Sequence, residues 1–118
     1  MERRGPIEIA EVRLDPASRT CTKAGEPVEL AAKEFDLLHL LMSNPGEVLT
    51  RETLLDSLWG SAFQIESNVV DRHIRELRVK LGDDWRTPRY LETIPGKGYR
   101  FTAKNGNGNL VAVASAAD

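Results

Sequence analysis

Residues 67–82, Ser-Asn-Val-Val-Asp-Arg-His-Ile-Arg-Glu-Leu-Arg-Val-Lys-Leu-Gly, decide the fold of this chain. The apolar residues of this stretch recur at i, i+4, i+7 and i+11 and therefore fall within about 60° of one another on a helical wheel. They are Val70, Ile74, Leu77 and Leu81. Ser67 is a plausible N-cap and Gly82 a natural end. The stretch predicts an amphipathic helix with one face in the core.

The opposite face of this helix is polar and rich in arginine. It carries Asn68, Arg72, Arg75, Glu76 and Val79, with Asp71 and Arg78 on one flank and His73 and Lys80 on the other. Residues 72–80 hold four basic side chains against one acidic one, whereas the whole chain has a net charge of -2. A polyanion responds to local clusters more than to total charge, so this face is either a nucleic-acid surface or simply a solvated helix face.

Two shorter helical patterns precede the third helix. The first follows a stripe that starts at Phe35 and stops at Pro45-Gly46, and the second starts at the N-cap Thr50 and stops at Gly60. Because only a short loop separates the second and third helices, they predict a helix-turn-helix. The predicted core consists of Phe35, Leu38, Leu41, Leu54, Leu58, Trp59, Val70, Ile74, Leu77, Leu81, Tyr99 and Phe101.

Strand patterns flank the helices. Residues 7–30 alternate apolar and polar side chains between turn signals, which predicts three or four short antiparallel strands. Residues 90–102 predict a β-hairpin with Lys97 at a glycine-flanked tip, and glycines let a backbone approach a phosphate backbone or a minor groove. The segment 105–118, rich in Gly, Asn and Ala, is predicted to be a disordered tail.

The composition excludes several classes of protein. With 118 residues the chain has the length of one domain. Cys21 is the only cysteine, which excludes an intramolecular disulfide and a cysteine-based zinc cluster. No apolar run approaches the roughly 20 residues of a membrane-spanning helix, and the first residues lack the pattern of a secretory signal. These features predict a cytoplasmic protein.

No group of residues supplies a nucleophile, a base and oxyanion donors together. His39 and His73 lie in different helices, and Cys21 is predicted to be a buried, inert thiol. The pair Asp83-Asp84 follows a helix end, so we expect a solvated turn rather than a catalytic dyad. The sequence therefore predicts a binding domain and not an enzyme, with no catalytic residue, no metal site and no cofactor.

Four segments, in chain order, resemble the effector domain of the OmpR/PhoB family of response regulators. Residues 30–38 (LAAKEFDLL) resemble its first helix, 48–60 (VLTRETLLDSLWG) its second, 70–81 (VDRHIRELRVKL) its recognition helix and 92–101 (ETIPGKGYRF) its wing. The resemblance implies an α+β winged helix-turn-helix with an N-terminal antiparallel sheet, three helices and a C-terminal β-hairpin wing. It also implies sequence-specific binding to double-stranded promoter DNA, often as head-to-tail dimers on direct repeats, to regulate transcription in a two-component system.

Candidate roles follow from this resemblance and from the arginine-rich face. The candidates for contacts to base edges are Asn68, Arg72, Arg75 and Glu76. Those for phosphate or minor-groove contacts are Arg78, His73, Lys97 and Arg100. The resemblance makes the loop 60–66 a candidate contact for RNA polymerase, through Phe63, Gln64 and Ile65.

Three positions depart from the family's pattern. Ala31 stands where the family often has a capping threonine, so that helix cap is weaker or comes from elsewhere. Pro95 stands where an arginine often precedes the wing glycine, which leaves the wing contacts to Lys97 and Arg100. Glu76 stands where several members carry a basic residue, and it either contacts cytosine N4 or repels phosphate.

The domain organisation is predicted as an N-terminal extension or linker over 1–6, a DNA-binding domain over 7–104 and the tail over 105–118. This leaves no room for the receiver domain, with its phosphorylated aspartate, that the family usually carries. The chain is then either a fragment of a two-component regulator or a lone module, and a sensor kinase would act only through that receiver. The alternative function is a winged helix that binds protein instead of DNA, which the retained arginines disfavour.

Overall fold

A computed structural model describes residues 5–60, 68–84, 86, 88–102 and 113–115 of the chain. The elements, in order, are β1 (Ile7–Ile9), β2 (Val12–Asp15), β3 (Thr20–Lys23), β4 (Glu26–Val28), α1 (Ala32–Ser43), β5 (Leu49–Thr50), α2 (Arg51–Trp59), α3 (Val69–Leu81), β6 (Leu91–Ile94), β7 (Gly98–Phe101) and β8 (Val113–Ser115). The predicted α+β winged helix, with its N-terminal antiparallel sheet, three helices and C-terminal hairpin, is confirmed.

The N-terminal sheet has the strand order β4-β3-β2-β1-β8. Side chains alternate along its antiparallel strands, so one face gathers the apolar ones: Ile9 lies opposite Val12, and Leu14 lies opposite Cys21. All four are buried in the same core as the helices. The sheet therefore closes one side of the helical core with the face that the alternating pattern predicts.

The end of the chain differs from the predicted disordered tail at β8. Its three residues pair antiparallel with β1, with Ile7 opposite Ser115 and Ile9 opposite Val113. The prediction considered only how little apolar surface the tail can bury. An edge strand also offers unpaired backbone N–H and C=O groups, which an extended segment of almost any composition can satisfy. The rest of the predicted tail lies outside the described residues.

The helix ends test the capping residues that the sequence predicts. The Thr50 hydroxyl accepts a hydrogen bond from the Thr53 amide (3.0 Å), which confirms it as the N-cap of α2. Ala31 has no side chain to cap α1, and the Glu34 carboxylate instead accepts from the Ala31 amide (2.8 Å). The N-cap of α3 is Asn68, so the prediction of Ser67 was wrong by one residue. Gly82 ends α3 at φ 66°, as predicted.

A second, three-stranded sheet has the order β5-β7-β6 and contains the hairpin. The two-residue strand β5 joins it by pairing Leu49 with Tyr99 and Thr50 with Gly98. A Cβ on Gly98 would lie 2.0 Å from the Leu49 carbonyl oxygen. Only glycine therefore allows β7 to approach the segment that leads into α2.

The core lies between the N-terminal sheet, the three helices and the hairpin. Ten of the twelve predicted core residues are buried, whereas Leu58 and Trp59 are only partly buried against the core. Both belong to the last turn of α2. Tyr90 and Leu91 are buried at the start of the hairpin and were not predicted.

Candidate nucleic-acid interface

The polar face of α3 is exposed, as its helical wheel predicts. All four candidates for base contacts are exposed on it: Asn68, Arg72, Arg75 and Glu76. Val79 completes this face and is 70% exposed. Among the described residues, the side chains of Arg72 and Arg75 have no hydrogen-bond or ion-pair partner, so their guanidinium groups are available to a ligand.

The hairpin ends in a tight turn with Lys97 at its tip. Gly96 adopts φ +73°, a conformation that residues with a Cβ rarely adopt, and the Lys97 amide donates to the Ile94 carbonyl (2.9 Å). The Lys97 side chain is exposed, with no partner among the described residues. The turn therefore presents one ammonium group, with no partner among the described residues, at the tip of the hairpin.

Arg78 has a different environment from Arg72 and Arg75, although all three lie on α3. Its Nε and Nη2 donate to the Leu91 carbonyl oxygen (3.2 and 2.9 Å), and Nη2 also donates to the Thr93 hydroxyl (2.7 Å). Its guanidinium carbon lies 5.9 Å from the centre of the Tyr99 ring. Arg78 is thus bound to the hairpin, a contact that its predicted role at phosphate or the minor groove does not include.

Two further candidates for phosphate contacts also have partners inside the protein. Arg100 donates from Nε to the Glu92 carboxylate (2.8 Å), its cross-strand neighbour in the hairpin. His73 makes a hydrogen bond through Nδ1 to the Val69 carbonyl (2.8 Å), and its ring packs edge-on against Trp59. Of the four predicted phosphate or minor-groove contacts, only Lys97 has a side chain without a hydrogen-bond or ion-pair partner among the described residues.

A polar junction that the sequence does not predict joins the two helices of the helix-turn-helix to the hairpin. Asp71, in the first turn of α3, accepts from Arg51 Nε at the start of α2 (2.8 Å) and from the Tyr99 hydroxyl in β7. Burial raises the pKa of Asp71, but the hydrogen bonds from Tyr99 and Arg51 outweigh it and hold that pKa below its ordinary value. Burial and the bond to Asp71 raise the pKa of Tyr99.

Asp83 holds the entrance to the hairpin. Its two carboxylate oxygens accept from the backbone amides of Arg89 (2.8 Å), Tyr90 (3.2 Å) and Leu91 (2.8 Å). The expectation that Asp83-Asp84 is merely a solvated turn was therefore wrong for Asp83. Asp84 is exposed and accepts only from the Arg86 amide (3.0 Å) among the described residues.

Residues 25–101 match the protein family described as "Transcriptional regulatory protein, C terminal". The chain belongs to the OmpR/PhoB effector-domain family. It is 41% identical over 97 residues to the sensory transduction protein RegX3 of Mycolicibacterium smegmatis, which covers 82% of this chain and 42% of that protein. It is also 41% identical over 101 residues to the phosphate regulon transcriptional regulatory protein PhoB of Escherichia coli, covering 83% and 42%. The chain thus spans about two fifths of the length of these curated relatives.

Solved structures show the same fold. The crystal structure of the Klebsiella pneumoniae RstA DNA-binding domain, in complex with the RstA box, superposes with a TM-score of 0.77 at 33% identity. The match covers 83% of this chain and 97% of that one. By chain order, α3 corresponds to the third helix of the OmpR/PhoB effector fold, and the β6–β7 hairpin corresponds to its wing.

The described residues contain no cluster of three potential metal ligands among His, Cys, Asp and Glu. No helix in the described ranges is long and apolar enough to cross a bilayer. The candidate RNA polymerase contacts Phe63, Gln64 and Ile65 lie outside the described residues.

Proposed function

We propose that this chain binds double-stranded promoter DNA sequence-specifically and regulates transcription as the output domain of a two-component response regulator. The observation that carries the proposal is the exposed face of α3, where Arg72 and Arg75 lack partners among the described residues. The hairpin that ends in Lys97 is fixed to the same helix through Asp71 and Arg78. Because α3 and the hairpin tip are fixed to each other, they suit an extended ligand, such as a DNA duplex, that contacts the helix face and the tip at the same time.

The chemistry of the α3 face suits the major groove. An α-helix fits this groove, and an arginine can donate two hydrogen bonds to guanine O6 and N7. An Asn side chain suits adenine and a Glu side chain suits cytosine N4, so Asn68 and Glu76 add discrimination to Arg72 and Arg75. Lys97 supplies a charge for a phosphate or the minor groove, a contact that positions the protein without selecting sequence.

Similarity to the RstA DNA-binding domain, which was solved with its RstA box, supports this proposal. The resemblance to response regulators implies the wider setting: phosphorylation by a sensor kinase through a receiver domain, in the cytoplasm. Head-to-tail dimers on direct repeats and a contact of the loop 60–66 with RNA polymerase complete the proposal. The family consists of transcription regulators, and a catalytic role has no support from the described side chains.

Binding to a labelled duplex, enriched from a random pool by this chain, tests the proposal. We would measure fluorescence anisotropy at several salt concentrations and compare the enriched duplex with a scrambled one of equal length. Lys97 should neutralise a phosphate, and Arg72 and Arg75 bring further positive charge close to the backbone, so the logarithm of the affinity should fall against the logarithm of salt with a slope of about -1 to -3. The enriched duplex should bind more tightly at every salt concentration.

Arg13→Ala provides a control that removes the same charge elsewhere. Arg13 lies in β2, half-exposed, between two buried residues that face the core, so it belongs to the opposite face of the N-terminal sheet. This variant should leave the slope unchanged, whereas Lys97→Ala should flatten it. No binding to any duplex at low salt would overturn the proposal and favour the alternative, a winged helix that binds protein.

A further inference from the structure

We propose that Arg78 is a positioning residue whose Nε and Nη2 fix the wing to α3 rather than bind phosphate. The inference rests on the proposed function and concerns how the two DNA-contacting parts are held together. Arg78 makes three hydrogen bonds to β6, two to the Leu91 carbonyl and one to the Thr93 hydroxyl. These bonds already direct its guanidinium to the hairpin.

The position of Arg78 on α3 supports this role. Asp71 and Arg78 are seven residues apart, which places them on the same flank of the helix and about 10 Å apart along its axis. Asp71 contacts β7 through Tyr99, and Arg78 contacts β6 through Leu91 and Thr93. Two attachments, one to each strand, prevent the hairpin from rotating about either of them.

The hairpin also needs what Arg78 supplies. β6 is an edge strand, because the order of its sheet is β5-β7-β6. Leu91 is fully buried, so its carbonyl oxygen would lose its donors if Arg78 turned towards a phosphate. A buried carbonyl without a donor costs free energy, whereas water satisfies an exposed phosphate at no such cost. Turning Arg78 away from the hairpin therefore has a cost, which favours the arrangement in which its Nε and Nη2 stay on β6.

The planar fork of arginine is essential to this arrangement. Two of its nitrogens reach the Leu91 carbonyl while one also reaches the Thr93 hydroxyl. A lysine carries the same charge on a single nitrogen and cannot reproduce that geometry. Arg78→Lys therefore separates the two roles, because it keeps the charge that a phosphate contact needs and loses the attachment of the wing.

A double-mutant cycle on the enriched duplex tests the inference. Lys97→Ala removes the wing contact and Arg75→Ala removes a contact of the α3 face, each in the wild-type and the Arg78→Lys backgrounds. We expect Arg78→Lys to weaken binding, and the loss caused by Lys97→Ala to shrink at least about twofold in that background. The loss caused by Arg75→Ala should stay the same in both backgrounds, because α3 itself does not move.

Thr93→Val gives an independent test that alters no charge and leaves Arg78 in place. It removes one of the acceptors of Arg78, so it should weaken DNA binding and lessen the effect of Lys97→Ala, in the same direction as Arg78→Lys. Thermal unfolding of each variant confirms that the domain is folded at the temperature of the binding measurement. This variant keeps the inference testable if Arg78→Lys does not fold.

The outcomes separate this inference from the proposed function. If the wild-type chain binds no duplex, the proposed function fails. If it binds and Arg78→Lys binds equally well with an unchanged salt slope, Arg78 is a phosphate ligand and the inference is wrong. The inference is also wrong if the Arg78→Lys background changes the effect of neither Lys97→Ala nor Arg75→Ala. It is wrong as well if that background changes the two effects equally, because a general loss of stability would reduce both contacts alike.

Discussion

Gly98→Ala should separate the hairpin from the segment that leads into α2. The added methyl carbon would lie 2.0 Å from the Leu49 carbonyl oxygen and 2.8 Å from the Thr50 Cα. Both neighbours are backbone atoms, which cannot rotate out of the way as a side chain can. β5 must therefore move by roughly 1.5 Å before ordinary contact distances are restored.

This displacement has a cost that can be estimated from the pairing. β5 has only two residue pairs with β7, so a shift of this size disrupts its whole ladder. Overpacking and the loss of the ladder hydrogen bonds together should lower the free energy of unfolding by about 2–4 kcal/mol. Thr50 also caps α2, so the start of that helix should loosen as well. The thermal midpoint should fall by about 10 °C or more.

Urea unfolding followed by far-UV circular dichroism measures this loss. Gly96→Asn is the matched control in the same hairpin: a Cβ at Gly96 meets nothing within 4 Å, and asparagine tolerates its positive φ. That control should lose less than about 1 kcal/mol. If Gly98→Ala unfolds within about 0.5 kcal/mol of the wild type, the close approach of β5 to β7 is not what makes glycine necessary here.

Three further predictions concern the DNA interface, the polar junction and the end of the chain. Arg75→Ala should weaken binding by about 1–3 kcal/mol on the enriched duplex and by much less on the scrambled one, whereas Lys97→Ala should weaken binding to the two duplexes equally. If anisotropy shows that Arg75→Ala weakens binding to the two duplexes equally, Arg75 is a phosphate contact. The pKa of Asp71 is lowered from its ordinary 3.8, so its contribution to stability is complete above that pH and is lost as the pH falls through the lower folded-state value. Urea unfolding of Asp71→Asn should accordingly show a weaker loss of stability in acid, and an unchanged pH profile would contradict the junction. Deleting residues 105–118 removes β8 but leaves β1 paired with β2. Calorimetry should therefore show that the thermal midpoint drops by a few degrees at most, and anisotropy should show an unchanged affinity for DNA. A larger drop in the midpoint would mean that β8 contributes substantially to the stability of the sheet.

The sequence predicts α3 well because its evidence is local and repeated. Four apolar residues at helical spacing and a terminal glycine predict a helix between the N-cap Ser67 and Gly82, and the structure places it at Val69–Leu81. The same periodicity separates the buried face from the exposed one. The hairpin can also be predicted from the sequence, because glycines flank its tip and apolar residues alternate along its strands.

The polar contacts that hold these elements together could not be predicted. Asp71 meets Tyr99 across 28 positions in the chain, and nothing in the sequence gives the distance between them. Arg75 and Arg78 are the same residue type on one helix, yet only Arg78 lies where β6 can accept its hydrogen bonds. Which arginine lacks a partner therefore depends on where the hairpin packs. The pairing of β8 with β1 could not be predicted either, because it uses backbone groups that side-chain patterns do not describe.

The buried thiol of Cys21 provides the chain with its own reporter of unfolding. Burial raises the pKa of Cys21 to about 11, so at pH 8 only about one molecule in a thousand carries the reactive thiolate. In the unfolded chain, with an ordinary pKa near 8.5, about a quarter do. Since β3 lies between β2 and β4, a thiol reagent reaches Cys21 only when the sheet opens. The rate of alkylation at this single cysteine then measures how often the N-terminal sheet opens, without any introduced label.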